Sequence, residues 1–444
     1  MSIRRTKMEF VSEYPGMGRI VSHGMILKNP LRQPLGTADQ VGYELGKLFQ
    51  LDQNHCLLVA SMDELGGGDR CVGNHGLIIS RLSDIKAENV FPVNWPDTEY
   101  KLKSGRTCFL AKYPVGGGFV PLGAKLINGG PHPHAGTGFL ISTALSFDSD
   151  SKCLIEHEDE ESLLEFMQLR WDGTSLEIDK RELKHDLLGY GFRNIGVSYC
   201  LMEDDYFLAP LTTDAGMVVY KIEFIDGEWK ITTCSKPFLT CITDQPLVIC
   251  QTGENEPSIL KKDGKYLVYT RGVDCLGRLY ESADGINFKL ILTRVNTDLP
   301  QIFSKGLKGD LYLITNPSRG RDGDNPLNAY VRNPLLLYPM ANGQYGDPIT
   351  IHDEGGITNI EGDKIPFIDH GMSVSVVLEG QWRHFILYRV CDLFDRSLYL
   401  GQGNVAKVLY GKGHKPRNYG KPRIGGLYLA EIIYDEVLDT PYGF

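Results

Sequence analysis

One strand pattern recurs along the chain, and it constrains the fold more than any single motif. Cys56-Leu57-Leu58-Val59-Ala60-Ser61-Met62-Asp63 is an apolar run that ends in an acid. The stretches Tyr206–Asp214, Tyr266–Asp274 and Phe385–Asp392 read the same way, and Leu311–Asn316 is a copy without the acid. Self-similarity at a spacing of tens of residues marks radial arrays of small sheets. Between the copies lie turn signals: Asp172-Gly173, Asp226-Gly227, Asp263-Gly264 and Glu379-Gly380. No long 3.6-residue period interrupts them, so little room is left for helices. The pattern predicts an all-β fold: a single β-propeller over residues 1–444, of five to seven blades, with six or seven favoured. A strand near Met8–Val11 is expected to complete the last blade.

The bulk numbers bound the function. With 46 Lys and Arg against 56 Asp and Glu, the formal charge is -10, which argues against nucleic-acid binding. No apolar stretch approaches the roughly 20 residues of a membrane helix, so no membrane partner is expected. The basic start of the chain lacks the apolar core of a secretory signal. The ten cysteines are scattered without a CxxC pair, as suits reduced thiols. The expected location is cytoplasmic, or outside the cell for a chain trimmed of its leader. Gly66-Gly67-Gly68 and Gly116-Gly117-Gly118 have no following Lys-Ser/Thr, so neither reads as a phosphate loop. No cofactor is expected. The one cation candidate is the alternation Asp322, Asp324, Asn325, a calcium site lacking the later glutamate of an EF-hand.

The stretch Asn255-Glu256-Pro257-Ser258 followed by Tyr266–Arg271 and then Ser282-Ala283-Asp284-Gly285 is the most distinctive. Over about residues 255–290 it resembles one blade of the sialidase-like and related glycosidase propellers. In those an acidic residue before proline opens the innermost strand and a Ser-x-Asp-Gly turn closes the blade. The resemblance implies cleavage of a glycosidic bond in an acidic oligosaccharide or polysaccharide, built on sialic or uronic acid. Glu256 would protonate the leaving oxygen, partnered by a carboxylate at a strand end: Asp63, Asp69, Asp214 or Asp369. The loop Gly129–Gly138 holds His132 and His134 between prolines, a rigid setting for a general base.

In broad design the chain is also similar to the seven-bladed uronate lyases acting on ulvan or rhamnose–glucuronate linkages. That similarity implies β-elimination, with His132 or His134 and Tyr190 or Tyr199 near the reacting carbon and an arginine on the uronate carboxylate. Arg193, Arg271 and Arg389 lie near strand ends and suit bidentate carboxylate binding. His370, after Asp369, is a further binding candidate. The competing reading of Arg271 and Arg389 is that they brace their blades through Asp274 and Asp392. A third reading of the whole chain is a non-catalytic scaffold. If the site is shared, His132 or His134, Arg193 and Glu256 should line one axial cavity.

Overall fold

A computed structural model describes residues 10–11, 19–28, 42–63, 71–80, 82, 87–93, 99–101, 107–148, 163–184, 186–191, 200–238, 254–272, 276–295, 302–305, 311–316, 334–341, 344–353, 364–378, 381–395 and 426–433. Nearly all of them are strand, with one short 3-10 turn at Ala87–Asn89. Six larger sheets, antiparallel but for one edge pair, follow one another along the described residues, with a two-stranded hairpin of Asp186–Leu187 and Tyr190–Gly191 between the second and third. Blade 1 is Gly42–Gln50, His55–Asp63, Cys71–Ser80 and Val90–Val93. Blade 2 is Thr107–Val120, Thr137–Asp148, Leu163–Trp171 and Leu176–Lys184, with Glu99–Lys101 added beside Thr107. Blade 3 is Leu201–Met202, Tyr206–Thr213, Gly216–Ile225 and Glu228–Cys234. Blade 4 is Glu254–Lys262, Lys265–Gly272, Leu276–Ser282 and Lys289–Val295.

Blade 5 is Ile302–Lys305, Leu311–Thr315 and Leu335–Ala341, edged by Gln344–Gly346 and Ile349–His352. Phe10–Val11 pairs in parallel with Gln344–Gly346. Blade 6 takes Lys364–Leu378, Gln381–Asp395 and Gly426–Ile433, and its outer strand is Arg19–Lys28 from the other end of the sequence. The strand near Met8–Val11 therefore edges blade 5, and the next strand along finishes blade 6.

The blades close into a ring. Blade 1's inner strand packs on that of blade 2, and blade 2's on the second strand of blade 3. That strand packs on blade 4's inner strand, which meets blade 5's, which meets blade 6's, which returns to blade 1. The chain is a six-bladed β-propeller, within the range the repeat predicts.

The recurring run has a fixed rank. Cys56–Asp63, Tyr206–Asp214, Tyr266–Asp274, Leu311–Asn316 and Phe385–Asp392 all begin or lie in second strands of separate blades. Blade 2 supplies a copy that reading the sequence passed over, Phe139–Asp148. A second strand is covered on both sides, so it is apolar without alternation. Cys56 through Ala60, and Phe385 through Leu387, are buried. The glycine run in blade 2 is a packing device. A Cβ on Gly117 would lie 2.8 Å from the Phe139 carbonyl oxygen, and one on Gly118 would lie 2.3 Å from the Phe207 ring. At the hairpin tips Asp226-Gly227 and Asp263-Gly264, φ is positive at both residues, the geometry of the two-residue turns that fit strand twist.

Candidate functional site

Strand direction divides the predicted site residues between two faces. Inner strands of a propeller run alike, so their starts lie with the ends of the second strands on one face, here the entry face. The turns joining first to second strands lie on the opposite face. Glu256 is the third residue of blade 4's inner strand, and Arg271 is next to last in the strand beside it. Asp63 ends blade 1's second strand, and Arg389 lies in the later part of blade 6's. The Tyr190 hairpin is tied to the end of blade 3's second strand by a 2.9 Å bond from Asp214 N–H to the Gly191 carbonyl. These residues share the entry face.

The inner strand of blade 4 is not regular there. Asn255 sits opposite Arg271 and Ser258 opposite Tyr269, so one residue is extra. Such a β-bulge re-aims a side chain and interrupts the ladder. Pro257, which has no N–H, falls where the ladder is broken. Glu256 takes a left-handed conformation, φ 46°, which costs a residue with a side chain on the order of 1–3 kcal/mol. It is buried, 4% exposed, and accepts a hydrogen bond from Arg271 Nη1. Arg271 is itself 9% exposed. The pairing is therefore Arg271 with Glu256, inside the blade. Asp274, the partner expected for a bracing role, lies outside the described residues.

The same irregularity recurs. In blade 6, Asp369 sits opposite Arg389 and Met372 opposite Leu387. In blade 1, Tyr43 sits opposite Met62 and Gly46 opposite Ala60. Register thus makes Glu44, Glu256 and His370 equivalent positions, each first in its bulge. Arg271 and Arg389 are equivalent as the repeat predicts, whereas Tyr388 matches Thr270 rather than Tyr269. Arg389 is buried at 2% exposure. Arg193 and the calcium candidates Asp322, Asp324 and Asn325 lie outside the described residues.

His132 and His134 are on the other face. Their loop joins blade 2's inner strand to its second strand, so it follows an inner strand instead of preceding one. The first-to-second turn of blade 3, Glu203–Asp205, lies beside it. From that turn Glu203 reaches Lys261, at the far end of Glu256's own strand, at 2.6 Å. The expected cavity shared by these histidines and Glu256 is therefore not formed.

The histidines are built into the loop. His132 Nδ1 accepts the His134 N–H at 3.1 Å, and the His134 ring packs 4.3 Å from Phe224 and 5.6 Å from Trp229. Burial lowers the pKa of His132, against the Asp204 backbone and the Asp204 and Asp205 carboxylates, which favour the charged ring. Burial and then the charge of His132 lower that of His134, with Asp205 opposing. Both shifts favour the neutral ring. A cleft of about 280 Å³ opens nearby, lined by Thr137, Gln168, Phe224 and Trp229. Charged groups at its rim pair among themselves, Arg170 with Asp179 and Lys180 with Glu228, each at 2.9 Å. A rim that satisfies its own charges offers little to an ionic ligand.

No protein-family model matches the chain, and no curated protein sequence matches it. Solved structures do. A mutant of Trypanosoma rangeli sialidase displaying trans-sialidase activity matches with a TM-score of 0.50 and 10% identity, over 94% of this chain and 59% of that one. Phage phi92 endosialidase matches with a TM-score of 0.47 and 12% identity, over 94% and 71%. A protein of unknown function from Dyadobacter fermentans matches with 0.47 and 10%, over 95% and 100%. The chain spans about three fifths of the length of the T. rangeli sialidase structures. At such identities the likeness is one of fold alone, that of a β-propeller.

Proposed function

We propose that the entry face is a glycan site and that the protein cleaves a glycosidic bond beside an acidic sugar, by hydrolysis. The observation that carries this reading is Glu256. It is a buried carboxylate held in a strained backbone conformation, in a bulge, against a buried arginine. Strain of that kind persists where surrounding structure over-determines it, and it clusters at functional sites. The buried guanidinium beside Glu256 suits the carboxylate of an acidic sugar. The fold shared with a sialidase supports a glycan by analogy alone.

The pairing refines the role of Glu256. With Arg271 donating to it, the carboxylate is fixed in position to stabilise positive charge on the sugar ring. Arg271 and Arg389 are the candidate partners of the sugar's own carboxylate. Elimination draws less support, since His132 and His134 stand on the opposite face; Tyr190 and His370 are the entry-face residues left to that route.

The test is a panel of sialyl and uronyl oligosaccharides incubated with the protein. Hydrolysis releases reducing ends without new ultraviolet absorbance, and elimination adds the absorbance of an unsaturated sugar. A panel giving neither, with folded protein, refutes the enzymatic reading and leaves a scaffold.

A further inference from the structure

The cleft of about 280 Å³ lies between blades 2 and 3, on the face away from Glu256. Its floor is preformed. Gln168 Nε2 donates to the Trp229 carbonyl at 2.8 Å, and the Trp229 N–H donates to Gln168 Oε1 at 3.0 Å. The Trp229 indole donates to Thr137 Oγ1 at 3.2 Å, and that hydroxyl donates to the His134 carbonyl at 2.7 Å. The half-buried Phe224 ring, held against His134 and Trp229, adds apolar surface. The rim carries ion pairs. Arg170 pairs with Asp179 within blade 2, Lys180 of blade 2 with Glu228 of blade 3, and Asp226 with Lys230 at 3.2 Å. Three cations against three carboxylates leave these pairs with no net charge. An ion gains nothing there without breaking a pair. Each pair nevertheless keeps hydrogen-bonding capacity, because a guanidinium has five N–H donors, an ammonium three, and a carboxylate accepts about four bonds. Donors and acceptors side by side, with zero net charge, match a neutral ligand whose polar groups both donate and accept. A hydroxyl does both. The volume is at the low end of small-molecule sites, which run from about 300 Å³.

We propose that this cleft binds one neutral sugar residue, its ring against Phe224 and its hydroxyls on the Arg170–Asp179 and Lys180–Glu228 pairs. The partners in each pair hold one another in place, so a hydroxyl meets a donor and an acceptor already set. The Lys180–Glu228 pair crosses the seam between two blades, so the site exists only where blades 2 and 3 are docked. Standing on the face opposite Glu256, the cleft anchors a glycan and takes no part in cleaving one. It does not rest on the hydrolytic reading of the entry face.

The experiment is a ligand-observed NMR titration of the full chain with methyl α-mannoside, methyl β-glucoside and methyl β-galactoside. Methyl β-glucuronide serves as the acidic counterpart of the glucoside. At least one neutral glycoside should bind the wild type, and the glucuronide should bind more weakly than the glucoside. Arg170→Ala and Glu228→Ala should each weaken the neutral sugar by about tenfold or more, the scale of a hydrogen bond to a charged group. Both side chains are exposed, so both variants should fold; should one fail, the other decides. No binding by any neutral glycoside overturns the proposal. So does wild-type affinity in either folded variant, which places the sugar elsewhere, and so does a glucuronide that binds tighter than the glucoside. The titration involves no cleavage, so its failure and the failure of a cleavage assay are separate results.

Discussion

The Glu256–Arg271 pair makes a quantitative prediction that needs no substrate. Both side chains are buried, at 6% and 11% side-chain exposure, and Arg271 Nη1 donates to Glu256 Oε2. Removing one member of a buried pair strands the other away from water, which costs about 3–5 kcal/mol. Removing both strands neither. Glu256→Gln and Arg271→Met should each destabilise the protein, the Gln variant less because its amide oxygen still accepts a hydrogen bond. The double variant should fall short of the sum by at least about 2 kcal/mol. Urea unfolding with linear extrapolation measures all four proteins, provided the slopes agree. Two changes that add within about 0.5 kcal/mol behave as independent sites. That result would refute the buried pair and, with it, the assignment of Glu256 as a fixed carboxylate.

Three further outcomes are expected. His384 is buried, meets Ser373 Oγ at 2.6 Å, and burial lowers its pKa to about 4; its ordinary value is near 6.5, so the stability it contributes is complete above about pH 6.5 and lost as pH falls toward 4. The loss is on the order of 3 kcal/mol, and a pH series on the wild type and His384→Gln should show a shallower acid slope in the variant. Asp284 accepts from the N–H groups of Ile286 and Asn287 at 2.9 and 2.7 Å and binds Ser282 Oγ at 2.8 Å, so Asp284→Ala should cost about 1–2 kcal/mol in thermal or chemical melts. His134→Ala should leave kcat on any cleaved glycan within about twofold while lowering stability through lost packing on Phe224; a loss of a hundredfold or more in kcat would return the loop to the site.

The fold was legible because a second strand has one environment in every blade. Covered on both sides, it must be apolar along its length, and the need shows in each copy. Phe139–Asp148 was passed over because its acid comes later, after a longer strand. The strand after His132 and His134 is a second strand and not an inner one, which sets the loop on the other face: hydrophobicity tells that a strand is buried, not its rank in the blade. The bulges were illegible for a related reason. A bulge is a mismatch between two strands, so neither sequence alone contains it. Only Pro257 hinted at a broken ladder, and Glu44 has no proline after it.

The closing blade has a consequence for how the molecule is made. Arg19–Lys28 and Gly426–Ile433 are neighbours in one sheet, though nearly all of the sequence lies between them. Until the later strand appears, the earlier one has no ladder to join, and blade 6 meets blade 1 at its seam through two strands alone. Contacts of such long separation form late, because a large loop must close before they reward it. The bulge residues Glu44 and His370 lie on the two inner strands that meet at that seam. A nascent chain stalled before Gly426 would therefore hold that seam by two strands of blade 6, with the Arg19–Lys28 strand still unpaired.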